Sequence, residues 1–128
     1  MAAAKRVWLL YACRSAYAAE VAEIIWRTGG DVAALVDNLP DGPQPSPIAR
    51  VLAPADLADE ECALPAAIPL ITPGHRVAVA AEARAAGVRW FPPLVDPTAV
   101  IARTAAIAEG AIVNALEPPR NFGGPKYS

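Results

Sequence analysis

The chain lacks an excess of basic residues and has few cysteines. Its 128 residues include 11 Lys and Arg against 13 Asp and Glu, so the formal net charge is -2. Without a positive surface that would attract a phosphate backbone, we do not expect nucleic-acid binding. The two cysteines, Cys13 and Cys62, are too few for a disulfide scaffold or a zinc site, although a single disulfide stays open. A reduced, cytoplasmic protein that binds no metal is therefore expected.

Long hydrophobic runs are also missing. The apolar run near the N-terminus, Val7 to Cys13, has seven residues, whereas a helix needs roughly 20 to cross a bilayer. Arg14 and an amphipathic stretch follow this run, where a secretory leader would have its cleavage site. We therefore expect neither contact with a membrane nor a signal peptide.

What the sequence does contain is the periodicity of alternating strands and helices. Residues 5–12 (KRVWLLYA) and 31–38 (DVAALVDN) are short apolar runs that predict buried strands. Between them, residues 15–30 predict a helix with an apolar stripe, beginning at Ser15 and ending at Gly29 and Gly30. This order predicts a parallel βαβ unit with a right-handed crossover.

The middle of the chain is richer in loops. Four prolines in residues 39–47 exclude regular structure there. Residues 56–61 (DLADEE) fit a short helix or a solvated acidic loop, and we favour the loop over either the helix or a metal cluster. Residues 67–73 predict a short strand, residues 74–88 a helix closed by Gly87, and residues 89–95 an edge strand or connector.

These elements predict an α/β fold. We expect a small Rossmann-like parallel sheet of three to four strands, with helices on both faces, in residues 1–94. That length is too short for the full six-stranded dinucleotide-binding fold.

A six-residue period follows this domain. Val95, Ile101, Ile107 and Val113 stand six residues apart. A step of six turns about 240° around a helix, so these residues would form no single apolar face. The period is typical of a hexapeptide β-helix, in which three hexads make one coil, although chance spacing in an alanine-rich segment stays open. Because Glu117 interrupts the pattern, we expect a single coil in residues 95–118 and a tail in residues 119–128.

A lone coil has an open rim with unpaired backbone groups. It must rest on the α/β layer, on a partner chain or on the tail, where Phe122 or Tyr127 could cover the rim.

Several stretches together resemble the sialic acid O-acetyltransferase (NeuD/PglD-like) family of sugar acetyltransferases. Residues 13–25 (CRSAYAAEVAEII) resemble the family's glycine-rich turn and first helix, with Cys13 and Ala16 where glycines are usual. Residues 36–38 (VDN) match the end of its second strand, and residues 72–76 (TPGHR) match a loop that opens a helix. Residues 87–113 are similar to the run G-x-x-[FW]-x-x-[LIV]-[VI]-H-P-[ST]-A that enters the coil, with Asp96 in place of histidine.

The resemblance implies a sugar-nucleotide-binding domain, taking a UDP- or CMP-linked sugar, that belongs to an acetyl-CoA-dependent sugar acetyltransferase. In the family, acetyl-CoA and the catalytic histidine belong to later coils, so we assign no catalytic residue and no cofactor to this chain. The coil implies a homo-oligomer. The ligand-binding residues that the resemblance suggests are Cys13, Arg14, Ser15, Ala16, Tyr17, Asp37, Asn38, Thr72, Gly74 and Arg76.

Several of these residues have two interpretations. Asp37 fits a ligand-binding carboxylate at a strand end or a turn-forming residue. Tyr17 covers a ligand or packs, and Arg76 pairs with a phosphate at a helix N-terminus or is solvated. His75, the only histidine, is more typical of an exposed early-helix residue than of a general base. Cys13 is more typical of a small buried hydrophobe than of a nucleophile.

Two other functions stay open. A non-catalytic interaction or oligomerisation module would keep the fold but not the ligand site. A dinucleotide-dependent oxidoreductase is poorly supported, because the G-x-G-x-x-G turn is missing.

Overall fold

The computed structural model describes residues 6–99, 101 and 106–114. Its strands are β1 (Val7–Tyr11), β2 (Asp31–Val36), β3 (Val51–Leu52), β4 (Ala66–Ala67), β5 (Leu94–Val95) and β6 (Ile112–Val113). Its helices are α1 (Tyr17–Arg27), α2 (Asp59–Cys62) and α3 (Pro73–Ala85), with a 3₁₀ turn at Pro54–Asp56.

Four of the strands form one parallel sheet in the order β3-β2-β1-β4. The chain moves outward from β1 to β2 and β3, and then crosses back to add β4 on the other side of β1. The strand order therefore reverses beside β1, which is where ligands bind in open α/β sheets. The α/β fold with a small parallel sheet, predicted from the sequence, is confirmed.

Helices cover both faces of this sheet. Because successive side chains of a strand point to opposite faces, Trp8 and Leu10 pack with α1, while Leu9 and Tyr11 pack on the other face with Ala80 of α3. These four side chains of β1 are all buried. The continuous apolar run of β1 thus reflects a central strand that is covered on both sides.

The preference for a loop over a helix at residues 56–61 is wrong, because α2 begins at Asp59. Asp56, Asp59 and Glu60 are exposed, as a solvated face requires. Glu61, the third residue of α2, is buried rather than solvated. Its carboxylate accepts hydrogen bonds from the Ala58 backbone N–H at 2.7 Å and from Arg50 at 3.1 Å. A glutamate that reaches back to the residue before a helix satisfies one of the unpaired donors of the first turn.

Two short strands differ from the sequence prediction. The strand expected at residues 67–73 is β4, Ala66–Ala67, which ends before Pro69 removes a backbone donor. The two residues of β3 were not predicted as a strand, since a run of that length has no periodicity to detect.

The strands β5 and β6 form a separate parallel pair. Leu94 lies opposite Ile112 and Val95 opposite Val113, so each residue pairs with one eighteen positions later. Leu94 and Ile112 are buried in the same core cluster as α1. Residues 89–95 therefore add no strand to the main sheet, although the Trp90 carbonyl accepts one hydrogen bond of 2.9 Å from Ala66 of β4. Ile101 stands at one of the four positions of the six-residue period and, unlike the buried Ile112, is 37% exposed.

Three side-chain contacts fasten the β5–β6 region to the helices. Arg27, at the end of α1, forms an ion pair of 2.6 Å with the buried carboxylate of Asp96. Asn114 donates a hydrogen bond of 2.6 Å to the hydroxyl of Tyr17 on α1. The buried Arg76 of α3 donates to the backbone carbonyl of Gly110. Both helices thus hold this region against the α/β layer.

The predicted tail, with Phe122 and Tyr127, lies outside the described residues, as do positions 100, 102–105 and 115–118 of the hexads. Within the described part of the chain, no helix combines the length and apolar character needed to cross a bilayer.

Candidate functional site

A pocket of about 250 Å³ opens where the carboxyl ends of β1, β2 and β4 meet. The turn after β1, the start of the loop after β2, the segment after β4 and one face of α3 form its walls. The lining residues are Ala12, Arg14, Ser15, Asn38, Leu39, Leu70, His75, Ala78 and Val79.

The turn after β1 is fastened to the end of β2. The backbone N–H groups of Ala12 and Cys13 both donate to the carbonyl of Val36, at 2.9 and 3.1 Å. Ala12 has a φ of +74°, a left-handed conformation that costs an L-residue roughly 1–2 kcal/mol. Ala16, which stands where the resembled family has a glycine, has helical angles. The strained residue is therefore Ala12, on the pocket wall.

Arg14 carries the positive charge of the pocket, and two carboxylates already hold it. Its Nε lies 2.7 Å from Oδ2 of Asp37, and its Nη2 lies 2.9 Å from Oδ1 of Asp41. The Asp37 side chain is fully buried, whereas that of Asp41 is 65% exposed. Two negative charges against one positive charge leave this side of the pocket acidic.

Asp37 organises the loop that follows β2. Its carboxylate accepts hydrogen bonds from the backbone N–H groups of Leu39 at 3.1 Å and Gln44 at 3.0 Å, as well as from Arg14. Burial alone would raise the pKa of Asp37, but these three donors outweigh it, so the pKa lies below its ordinary value. Asp37 is 1% exposed and does not line the pocket. Its environment matches the turn-forming interpretation.

Ser15 and Asn38 place hydrogen-bonding groups on the pocket wall. Ser15 Oγ accepts a hydrogen bond from the Tyr17 backbone N–H at 3.1 Å and keeps its own O–H available to donate. The N-cap residue of α1 is Ala16, so Ser15 satisfies a first-turn donor from one position earlier. Asn38 donates from Nδ2 to Glu82 at 3.1 Å. That bond holds the amide at the mouth of the pocket.

The face of α3 that lines the pocket was not identified from the sequence. His75, Ala78 and Val79 stand at spacings of three and four, which places them on one side of a helix. That spacing was visible, but nothing in the sequence showed which partner the face would meet. His75 is exposed, as expected, yet it also lines the pocket.

Other predicted site residues lie elsewhere. Tyr17 is buried in the core beside α1, so it packs rather than covers the pocket. Arg76 is fully buried and contacts Gly110, so it is neither solvated nor displayed at the N-terminus of α3. Thr72 and Gly74 are exposed but do not line the pocket.

Cys13 lies within the turn after β1 and Ala16 follows that turn, and neither residue lines the pocket. Burial and then the charge of Asp37 raise the pKa of the Cys13 thiol, which favours its protonated form and the interpretation as a small hydrophobe.

Comparison with known proteins gives one informative result. No protein-family model matches the sequence, and no curated protein sequence matches it. Among solved structures, the fold is similar to that of the acetyltransferase domain of PglB from Neisseria gonorrhoeae FA1090, solved in complex with acetyl coenzyme A. The TM-score is 0.66 at 22% sequence identity, over 88% of this chain and 54% of that one.

The chain therefore spans about half the length of the structure that it matches. The resemblance to sugar acetyltransferases predicted from the sequence is confirmed at the level of the fold.

Proposed function

We propose that this chain is the nucleotide-sugar-binding part of a sugar acetyltransferase. The observation that carries the proposal is the pocket at the carboxyl end of the sheet, beside the reversal of strand order, within a fold similar to an acetyltransferase domain. In open α/β sheets this position is the usual site of ligand binding. The pocket lining fits a ligand with both polar and apolar parts.

The two sides of the pocket suggest how such a ligand would lie. Leu39, Leu70 and Val79 offer apolar surface for the flat face of a base. Arg14 and Ser15 stand at the first turn of α1, where a guanidinium, a hydroxyl and a helix N-terminus favour phosphate oxygens. The base would therefore contact the apolar side chains, and the phosphates would contact Arg14 and Ser15. Among the residues first suggested for binding, Arg14, Ser15 and Asn38 line the pocket.

The β5–β6 pair supports a second part of the proposal, a single β-helix coil after the α/β domain. A parallel partner eighteen residues along the chain is what three hexads per coil require. A single coil in this proposal leaves an open rim, so we also propose that a second copy of the chain covers it.

We propose that acetyl-CoA does not bind in this α/β pocket. The β5–β6 pair belongs to one coil, whereas a groove between successive coils needs at least two. Within the described part of the chain, no carboxylate is seen to orient His75 as a base. We therefore propose that acyl transfer itself depends on parts of the enzyme beyond this α/β pocket.

Calorimetric titration with UDP- and CMP-linked sugars tests the proposal. Ala78 is exposed and lines the pocket, whereas Ala81 is exposed on the same helix and does not line it. We expect Ala78→Phe to weaken binding at least tenfold, because the ring fills the pocket, and Ala81→Phe to leave the affinity unchanged.

The opposite result favours the interaction module. If the wild-type protein binds none of the UDP- and CMP-linked sugars, or if both phenylalanine variants bind them like the wild type, the pocket is not a nucleotide-sugar site. Capture of Arg14 by two carboxylates is the observation that favours this alternative. Sedimentation analysis showing an oligomer without ligand binding would then support it.

A further inference from the structure

Arg14 presents a difficulty for any anionic ligand of the pocket. It is the only lysine or arginine among the residues that line the pocket, and its guanidinium already contacts Asp37 and Asp41. A phosphate that takes the Nε or Nη2 donors used in these contacts must displace one of the carboxylates. Which contact yields first follows from their different burial.

The contact with Asp37 is the more costly one to break. Asp37 is fully buried, and removing its charged partner would leave an ion inside the protein. The contact with Asp41 is different, because Asp41 is 65% exposed and water can replace the guanidinium. Exposed ion pairs of this kind contribute little to stability.

We propose that Asp41 occupies the Arg14 guanidinium in the free protein and is displaced by the phosphate of an entering ligand. Asp41 is then a specificity-determining residue: it competes with weakly bound anions, while a phosphate that pairs bidentately with Arg14 overcomes it. Asp37 stays bound to Nε and keeps the guanidinium in place. The inference rests on the proposed function, since it deepens the same pocket.

The loop that carries Asp41 is built for such an exchange. Gln44 Nε2 donates to Asp41 at 3.3 Å, while the Gln44 backbone N–H donates to Asp37 at 3.0 Å. The backbone of the loop is therefore anchored through Asp37, independently of Asp41. Release of Asp41 costs side-chain contacts near the surface and leaves the buried anchor intact.

Inorganic pyrophosphate and a UDP-linked sugar are the probes, each titrated by calorimetry. We expect Asp41→Asn to tighten binding of both about two- to fivefold, the range that an exposed ion pair implies. Asp56→Asn is the matched control, since Asp56 is exposed and its loss changes the net charge equally. It should leave both affinities unchanged.

A double-mutant cycle separates competition for Arg14 from general repulsion. In an Arg14→Gln background, Asp41→Asn should no longer tighten pyrophosphate binding. An equal gain in that background, or no gain in the wild-type background, overturns the inference. A second measurement needs no Arg14 variant: at saturating pyrophosphate the NMR signal of the Asp41 carboxyl carbon should move while that of Asp56 does not, and an unmoved Asp41 signal overturns it.

The two proposals fail differently. If pyrophosphate shows the Asp41 effect but no nucleotide sugar binds, the exchange at Arg14 stands and the proposed function fails. If a nucleotide sugar binds equally to the wild type and Asp41→Asn, the function stands and the exchange is refuted. If neither the wild type nor any variant binds pyrophosphate, the displacement of Asp41 is also refuted, whether or not a nucleotide sugar binds.

Discussion

Replacing Asp37 with asparagine tests whether this carboxylate anchors the loop beside the pocket. Oδ2 accepts hydrogen bonds from Arg14 at 2.7 Å and from the Gln44 N–H at 3.0 Å, and Oδ1 accepts one from the Leu39 N–H at 3.1 Å. Asparagine offers a single acceptor oxygen. Its best orientation keeps the two bonds at Oδ2 and turns its amide N–H toward the Leu39 donor.

The cost can be worked out bond by bond. A hydrogen bond to a charged group contributes roughly 1 kcal/mol more than a neutral one, so neutralising two bonds costs about 2 kcal/mol. Losing the Leu39 bond, which is also made to the charged carboxylate, adds about 2 kcal/mol. We therefore expect Asp37→Asn to lower the free energy of unfolding by about 4 kcal/mol near neutral pH.

Urea unfolding followed by tryptophan fluorescence measures this change. Because folding lowers the pKa of Asp37 below its ordinary value of 3.8, the wild type has its full advantage above that pH. The advantage should shrink as the pH falls through the lowered pKa. A loss smaller than about 1 kcal/mol near neutral pH, or a loss that does not change on acidification, would refute this account of the loop.

Gly42→Ala tests the same contact from the other side. A methyl group on Gly42 would lie 2.4 Å from Oδ2 of Asp37, so either the carboxylate or the loop must move. We expect a loss of stability comparable to that of Asp37→Asn. In a double variant the two losses should not add, because both disrupt one contact. Full additivity would show that the two residues act separately.

Two further predictions concern the rest of the fold. Gly87→Ala should destabilise the protein by about 1–2 kcal/mol in urea unfolding, because Gly87 has a φ of +108° and an added methyl would lie 3.0 Å from Cys62 Sγ. Gly74→Ala should instead stabilise α3 by roughly 0.5 kcal/mol, because an added methyl group meets nothing within 4 Å. Equal changes in stability for Gly87→Ala and Gly74→Ala would contradict this expectation. The contact with Arg27 lowers the pKa of Asp96 from 3.8 to about 2. Acidification should therefore also weaken this contact. Because a lowered folded pKa stabilises above the unfolded value, unfolding free energy should fall more steeply between these pH values in the wild type than in Asp96→Asn, and parallel curves would refute it.

The local elements of this protein were determined by the sequence. The apolar run of β1, the stripe of α1 and the glycines that end α1 and α3 each depend on neighbouring residues, so their pattern is visible without a structure. The same holds for the proline-rich loop. The position of the pocket at the carboxyl ends of the parallel strands also followed, because it depends on strand order.

Tertiary structure decided which side chains remain available for a ligand. Asp37 and Arg14 were predicted to face one ligand, yet they face each other, 23 residues apart in sequence. Arg76 was expected at the surface and lies buried against Gly110. A polar side chain pairs with the groups that packing brings within hydrogen-bonding distance. Once the pair is buried, separating it leaves an unpaired polar or charged group inside the protein, which costs free energy. Neither distance nor burial is encoded in local periodicity, so these partners were decided only when the sheet and helices came together.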